Sequence, residues 1–137
     1  MDFEMLKKYL FDLPESKLEF PFGTDTMVFK VMGKMFALIS WQSEPLRLSL
    51  KCDPALSVHL REVHEAIIPG YHMSKIHWNT VIIDGSLEDE LITEMIDHSY
   101  HSVVDLLPKR LKKQLEKNIL KAEKAKQEWK TNPPIEM

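Results

Sequence analysis

The chain holds one cysteine, four glycines and no apolar run near the roughly 20 residues that a membrane-spanning helix needs. Each scarcity removes a class of function. A lone thiol, Cys52, can form no internal disulfide and no cysteine-based zinc framework, so nothing calls for an oxidising compartment. Four glycines leave little room for a phosphate-cradling loop, and no P-loop, dinucleotide fingerprint or Gly-x-Ser-x-Gly elbow occurs. The opening residues Met1-Asp2-Phe3-Glu4-Met5 lack the basic and apolar regions of a secretion signal. A cytoplasmic chain with no membrane partner is expected. Its 137 residues fit one domain and can bury a core without staples.

The net charge of −3 conceals an organised distribution. Residues 1–26 carry 3 basic and 6 acidic side chains, 27–83 carry 6 and 4, 84–107 carry 0 and 7, and 108–137 carry 9 and 4. The acidic third block repels a polyanion, whereas the second and fourth attract one.

Apolar Phe3, Leu6, Leu10 and Leu13 recur at helical spacing until Pro14 stops them, which predicts a short first helix. Residues 14–26, with two prolines and Gly23, read as a loop. Residues 27–31 and 34–41 are rich in β-branched and aromatic side chains and flank Met32-Gly33, which predicts a hairpin. Leu46, Leu48 and Leu50 alternate with Arg47, Ser49 and Lys51, a half-buried strand with a basic outer side. Asp53-Pro54 is an N-cap followed by proline at the first helical position, opening a helix expected to pack through Leu56, Leu60 and Val63. Residues 66–68 and 78–83 read as strands, ended by Pro69-Gly70 and Asp84-Gly85. From Ser86 or the acidic cluster after it, Leu87, Leu91, Ile92, Met95, Ile96, Val103 and Leu107 give a long amphipathic helix.

The fold class is therefore α+β: an antiparallel sheet packed against N- and C-terminal helices, with an inserted helix between strands. Residues 1–108 form the domain. Residues 109–137 form a basic amphipathic helix and tail, expected to rest on the acidic helix through Leu111 and Leu115 with exposed lysine pairs. Asn132-Pro133-Pro134 ends that helix.

Two constellations carry candidate chemistry. Lys30, Lys34, Arg47, Lys51 and Lys75 lie on or near strands; alternate strand positions share a face, so Arg47 and Lys51 are coplanar and Lys30 can join them to neutralise phosphates. An ordinary solvated sheet face guarded by lysines is the alternative. The second is Tyr71, His72, Lys75, His77, Trp78 and Asn79, where an aromatic, an amide and donors beside a lysine suit a base or an anion. Here the alternative is packing, with Tyr71 and Trp78 anchoring the sheet and the imidazoles bonded to loop backbone. His72 and His77 are spaced for neither a helical zinc pair nor a finger, so no metal and no cofactor is expected. A Cys52 thiolate paired with His72 or His77 would be needed for attack chemistry, but a free cysteine is more often a small buried hydrophobe. His98 and His101 read as helix-face residues, and the scattered methionines as core filling.

The succession Phe20-Pro21-Phe22-Gly23, residues 28–40, Leu48-Ser49-Leu50-Lys51-Cys52-Asp53-Pro54, residues 69–81 and residues 84–104 resembles the MmcQ/YjbR-like proteins over about Phe3 to Pro108. The words Pro69-Gly70-Tyr71-His72 and His77-Trp78-Asn79-Thr80-Val81 are its most specific marks. The resemblance implies a frataxin-like α+β architecture and a non-enzymatic nucleic-acid-binding module. It also implies a double-wing element, corresponding here to the hairpin and strand segments that bear Lys30, Lys34, Arg47, Lys51 and Lys75. DNA is then the expected partner. The body to residue 107 weighs against a duplex grip, with 9 basic and 17 acidic residues, and the lysine-rich tail lies outside the resemblance. The alternative is a module that binds a small molecule or a protein at the His72–Asn79 loop.

Overall fold

A computed structural model describes residues 1–70 and 73–131, and its elements follow the hydrophobic periodicities. They run α1 (Phe3–Asp12), β1 (Ser16–Glu19), β2 (Thr26–Val31), β3 (Lys34–Ser40), β4 (Leu46–Lys51), α2 (Pro54–Val63), β5 (Ile67–Pro69), β6 (Trp78–Ile83), α3 (Asp89–Asp105) and α4 (Lys109–Thr131). The strands form one antiparallel sheet in the order β1-β2-β3-β4-β6-β5. The α+β class and the inserted helix are as expected. Residues 14–26 are not all loop, because Ser16–Glu19 pairs with β2 as an edge strand.

Local chemistry fixes the ends of the elements. Asp2 caps α1 by accepting from the Met5 N–H at 2.8 Å, and Asp53 caps α2 by accepting from Leu56 N–H at 3.2 Å. The β2–β3 turn places Met32 at φ 48° and Gly33 at φ 82°, the left-handed pair that a tight hairpin needs. Gly70 donates to the Trp78 carbonyl at 2.9 Å, and a Cβ there would stand 2.8 Å from Trp78 Cβ, so only glycine admits this approach. The third helix starts later than Ser86: Glu88 occupies its N-cap without a side-chain bond, and the Met1 ammonium reaches Asp89 at 2.8 Å.

One face of the sheet meets helices. Phe29, Ala37, Ile39, Leu48, Leu50 and Val81 face Leu6 and Leu10 of α1 and Ile92, Ile96 and Val103 of α3 in one apolar core. A bulge in β3 turns Phe36 inward against the Tyr100 ring, 5.3 Å between centroids. The Ser99 hydroxyl then donates to the Phe36 carbonyl at 2.6 Å and accepts from Lys51 N–H at 2.9 Å, pinning α3 to β3 and β4. In α2 only Ser57 and Leu60 are buried, whereas Leu56 and Val63 are exposed, so this helix packs through a narrower stripe than its sequence suggests. In α4, Leu115 enters the core and Leu111 packs against it as expected. Among the described residues no ion pair joins an α4 lysine to α3. No helix is long and apolar enough to cross a membrane among the described residues.

Candidate functional site

Among the described residues the opposite face of the sheet carries no helix, and strand alternation decides what stands on it. Register places Glu19, Val28, Leu38, Ser49, Thr80 and Ile68 in one row across all six strands. A neighbouring row holds Thr26, Ser40, Arg47 and Ile82. On the other side stand Lys17, Lys30 and Met35, then Lys51 beside Trp78. Val28, Leu38 and Trp78 make a small buried cluster on this face, flanked by Met35 and Met73.

A groove of about 660 Å³ runs over these rows. Its floor is Leu38, Ser49 and Thr80, with the Ser49 and Thr80 hydroxyls 3.1 Å apart. Arg47, Ser40, Thr26 and Asp25 make one polar flank, and Met35, Met73 and Ser74 the other. Phe22 stands on the rim, 61% exposed, on a loop held by the Trp41 indole donating to the Thr24 carbonyl at 2.8 Å. A floor bearing hydroxyls, one guanidinium and an exposed ring on the rim are the kinds of group that can bind a phosphate and stack a base.

The basic residues divide. Arg47 lines the groove and has no acidic partner among the described residues. Lys51 shares its face, as the alternation predicts. Lys30 is on that face too, but its ammonium sits 3.5 Å from the Glu19 carboxylate, which offsets part of its attraction for an anion. Lys34 does not join them: it pairs with the inward-facing Val31, at an exposed strand start. Lys75 is exposed in the segment before β6, where its carbonyl accepts from the Arg61 guanidinium at 3.2 Å.

The second constellation also comes apart. Tyr71 and His72 lie outside the described residues. His77 is exposed, and its carbonyl accepts from Cys52 N–H at 2.8 Å. Trp78 and Asn79 are adjacent in a strand and so point to opposite faces: Trp78 onto the open face, Asn79 into the helix-covered side in the row of Phe29, Ala37 and Leu50. They cannot act on one ligand. Missed by the sequence reading were Thr26, Ser40, Met73 and the rim residue Phe22. Period-two parity would have found the first two, since Thr26 matches Val28 and Ser40 matches Leu38.

Among the described residues no group of three or more His, Cys, Asp or Glu side chains is placed to hold a metal. The family model described as YjbR matches residues 11–102. The chain is similar to the uncharacterized protein YbdF of Escherichia coli O157:H7, 37% identical over 112 residues that cover 82% of this chain and 92% of the relative. It is also similar to the uncharacterized protein YjbR of Escherichia coli K12, 40% identical over 86 residues, 63% of this chain and 73% of the relative. A crystal structure of a Deinococcus radiodurans protein superposes with a TM-score of 0.78 at 41% identity, covering 82% of this chain and 86% of that one.

Proposed function

From its membership of the YjbR family, to which the chain belongs, we propose that this protein is a non-enzymatic module whose open sheet face holds nucleic acid as a single strand. The carrying observation is Arg47, free of acidic partners among the described residues, in a hydroxyl-lined groove with Phe22 on its rim. An exposed antiparallel sheet with a ring for stacking and a few cations for the backbone suits unpaired bases. Duplex DNA suits it less. A duplex binder presents a broad basic stripe, and here the cations on the face without acidic partners among the described residues are Lys17 on the edge strand, Arg47 and Lys51, with Lys75 at the border. A bacterial, cytoplasmic protein that binds single-stranded DNA or RNA fits the single thiol and the bacterial relatives.

The test is fluorescence anisotropy with a labelled oligothymidylate at low salt, where electrostatic attraction is strongest. Wild type binds, and the combined variant Arg47→Ala, Lys51→Ala, Lys75→Ala loses most of the affinity while keeping its circular dichroism. No binding by wild type at low salt refutes the proposal.

A further inference from the structure

A second cavity lies on the other side of the sheet, between α2 and α3, and owes nothing to the groove. It measures about 210 Å³ and is walled by Leu50, Leu60, Val81, Leu91 and Met95. Asn79 also lines it, 2% exposed, and neither its amide nitrogen nor its amide oxygen has a hydrogen-bond partner among the described residues. A strand position in a row of Phe29, Ala37 and Leu50 is an apolar one, and a carboxamide placed there without partners is costly. Such a group needs a reason.

We propose that the α2–α3 cavity is a binding site for a small, uncharged, mainly apolar molecule bearing an amide or lactam edge, which pairs with the Asn79 carboxamide. Asn79 offers one donor face and one acceptor face, so its complement is a group that presents an acceptor beside a donor. The inner walls are apolar, and the charged residues among the lining are Lys51 and the exposed Glu94. Burial pushes the Cys52 thiol above its usual range, helped by Asp53 and opposed by Ser57 and Arg61, which leaves a neutral sulfur against the ligand. At the border His98 is held in place: its Nε2 accepts from Asp53 N–H at 3.1 Å, and Asp53 in turn caps α2. The lip is Leu56, which at 37% exposure can swing without disturbing the core. Size is matched as well, because an apolar cavity of about 150 Å³ accepts benzene.

The probes are benzamide and toluene, which share a ring and differ in the amide, titrated into ¹⁵N-labelled protein. Benzamide is expected to bind saturably, moving the Asn79 side-chain resonances and the amides of Leu60, Leu91 and Met95, with toluene at least about tenfold weaker for want of the hydrogen bonds. Asn79→Leu should erase that preference. Leu56→Trp, at a position that tolerates bulk, should block both probes in a folded protein, and it serves if Asn79→Leu does not fold. Equal binding of the two probes, a preference that survives Asn79→Leu, or benzamide shifts confined to surface residues each overturn the proposal. The last includes the case in which the carboxamide is fully satisfied by solvent.

Discussion

Replacing Asn79 by leucine is expected to make the protein more stable, against the usual direction for a change at a buried position. The side chain is 2% exposed and its two polar atoms are unpartnered among the described residues, so folding strips an amide of water and returns nothing to it. An unsatisfied buried polar group costs about 1–3 kcal/mol. Leucine keeps the γ-branched outline of asparagine, and the extra bulk of its methyl groups has about 210 Å³ of free space beside an apolar wall to occupy. The expected gain is about 1–3 kcal/mol, which at a slope of roughly 1–3 kcal/mol per M moves the urea midpoint upward by about 1 M. Asn79→Ala should gain less, since it enlarges the cavity, and Asn79→Asp should lose stability by burying a charge. Tryptophan fluorescence followed through urea denaturation measures all three, with an unchanged slope showing that the unfolded state is not the cause. A leucine variant less stable than wild type would refute the reasoning, because it would mean that the carboxamide makes bonds that hold the fold together.

Gly70→Ala should destabilise by about 1–3 kcal/mol, since its Cβ would overlap Trp78 backbone and side chain, and thermal denaturation reads the loss. Tyr9 and Tyr100 should titrate late in an ultraviolet pH titration, near 12 and not 10, because burial disfavours both phenolates, reinforced by Asp97 at Tyr9 and by Glu15 at Tyr100. Their folded values exceed the unfolded ones, so this stabilisation is complete below pH 10 and is lost as the pH rises through about 12. Asp84 has the opposite sign: bonds from Ser86 hold its carboxyl below the usual range, so its contribution is present above the unfolded value and disappears as the pH falls through the folded one. Cys52 should react slowly with iodoacetamide at neutral pH and rapidly in denaturant, since burial raises its thiol and shields it.

Sequence legibility followed the range of the signal. The alternation of β4 correctly sends Leu48 and Leu50 inward, and Asp53-Pro54 and Met32-Gly33 mark a cap and a turn because those signals are local. The four-residue β1 escaped, since Ser16–Glu19 has no apolar run and gains its identity only from pairing with β2. The candidate site was half legible. Residues 71–79 look like one constellation because they are contiguous, yet strand parity sends Trp78 and Asn79 to opposite faces, and Asn79 has the parity of Val81. The α2–α3 cavity was hidden altogether, because Cys52, Leu60, Asn79 and Leu91 converge only through the sheet order and the helix packing.

The central claim, a single-strand site on the open sheet face, is tested most directly by the salt dependence of binding to an oligothymidylate and to a duplex of equal length. Three phosphate contacts, to Arg47, Lys51 and Lys75, predict a log–log slope of about −2 for the single strand, at roughly 0.7 per contact. The account predicts that slope, tighter binding to the single strand than to the duplex at every salt concentration, and a slope near zero in the triple alanine variant. Tighter binding to the duplex, or a slope that the triple variant leaves unchanged, would contradict it.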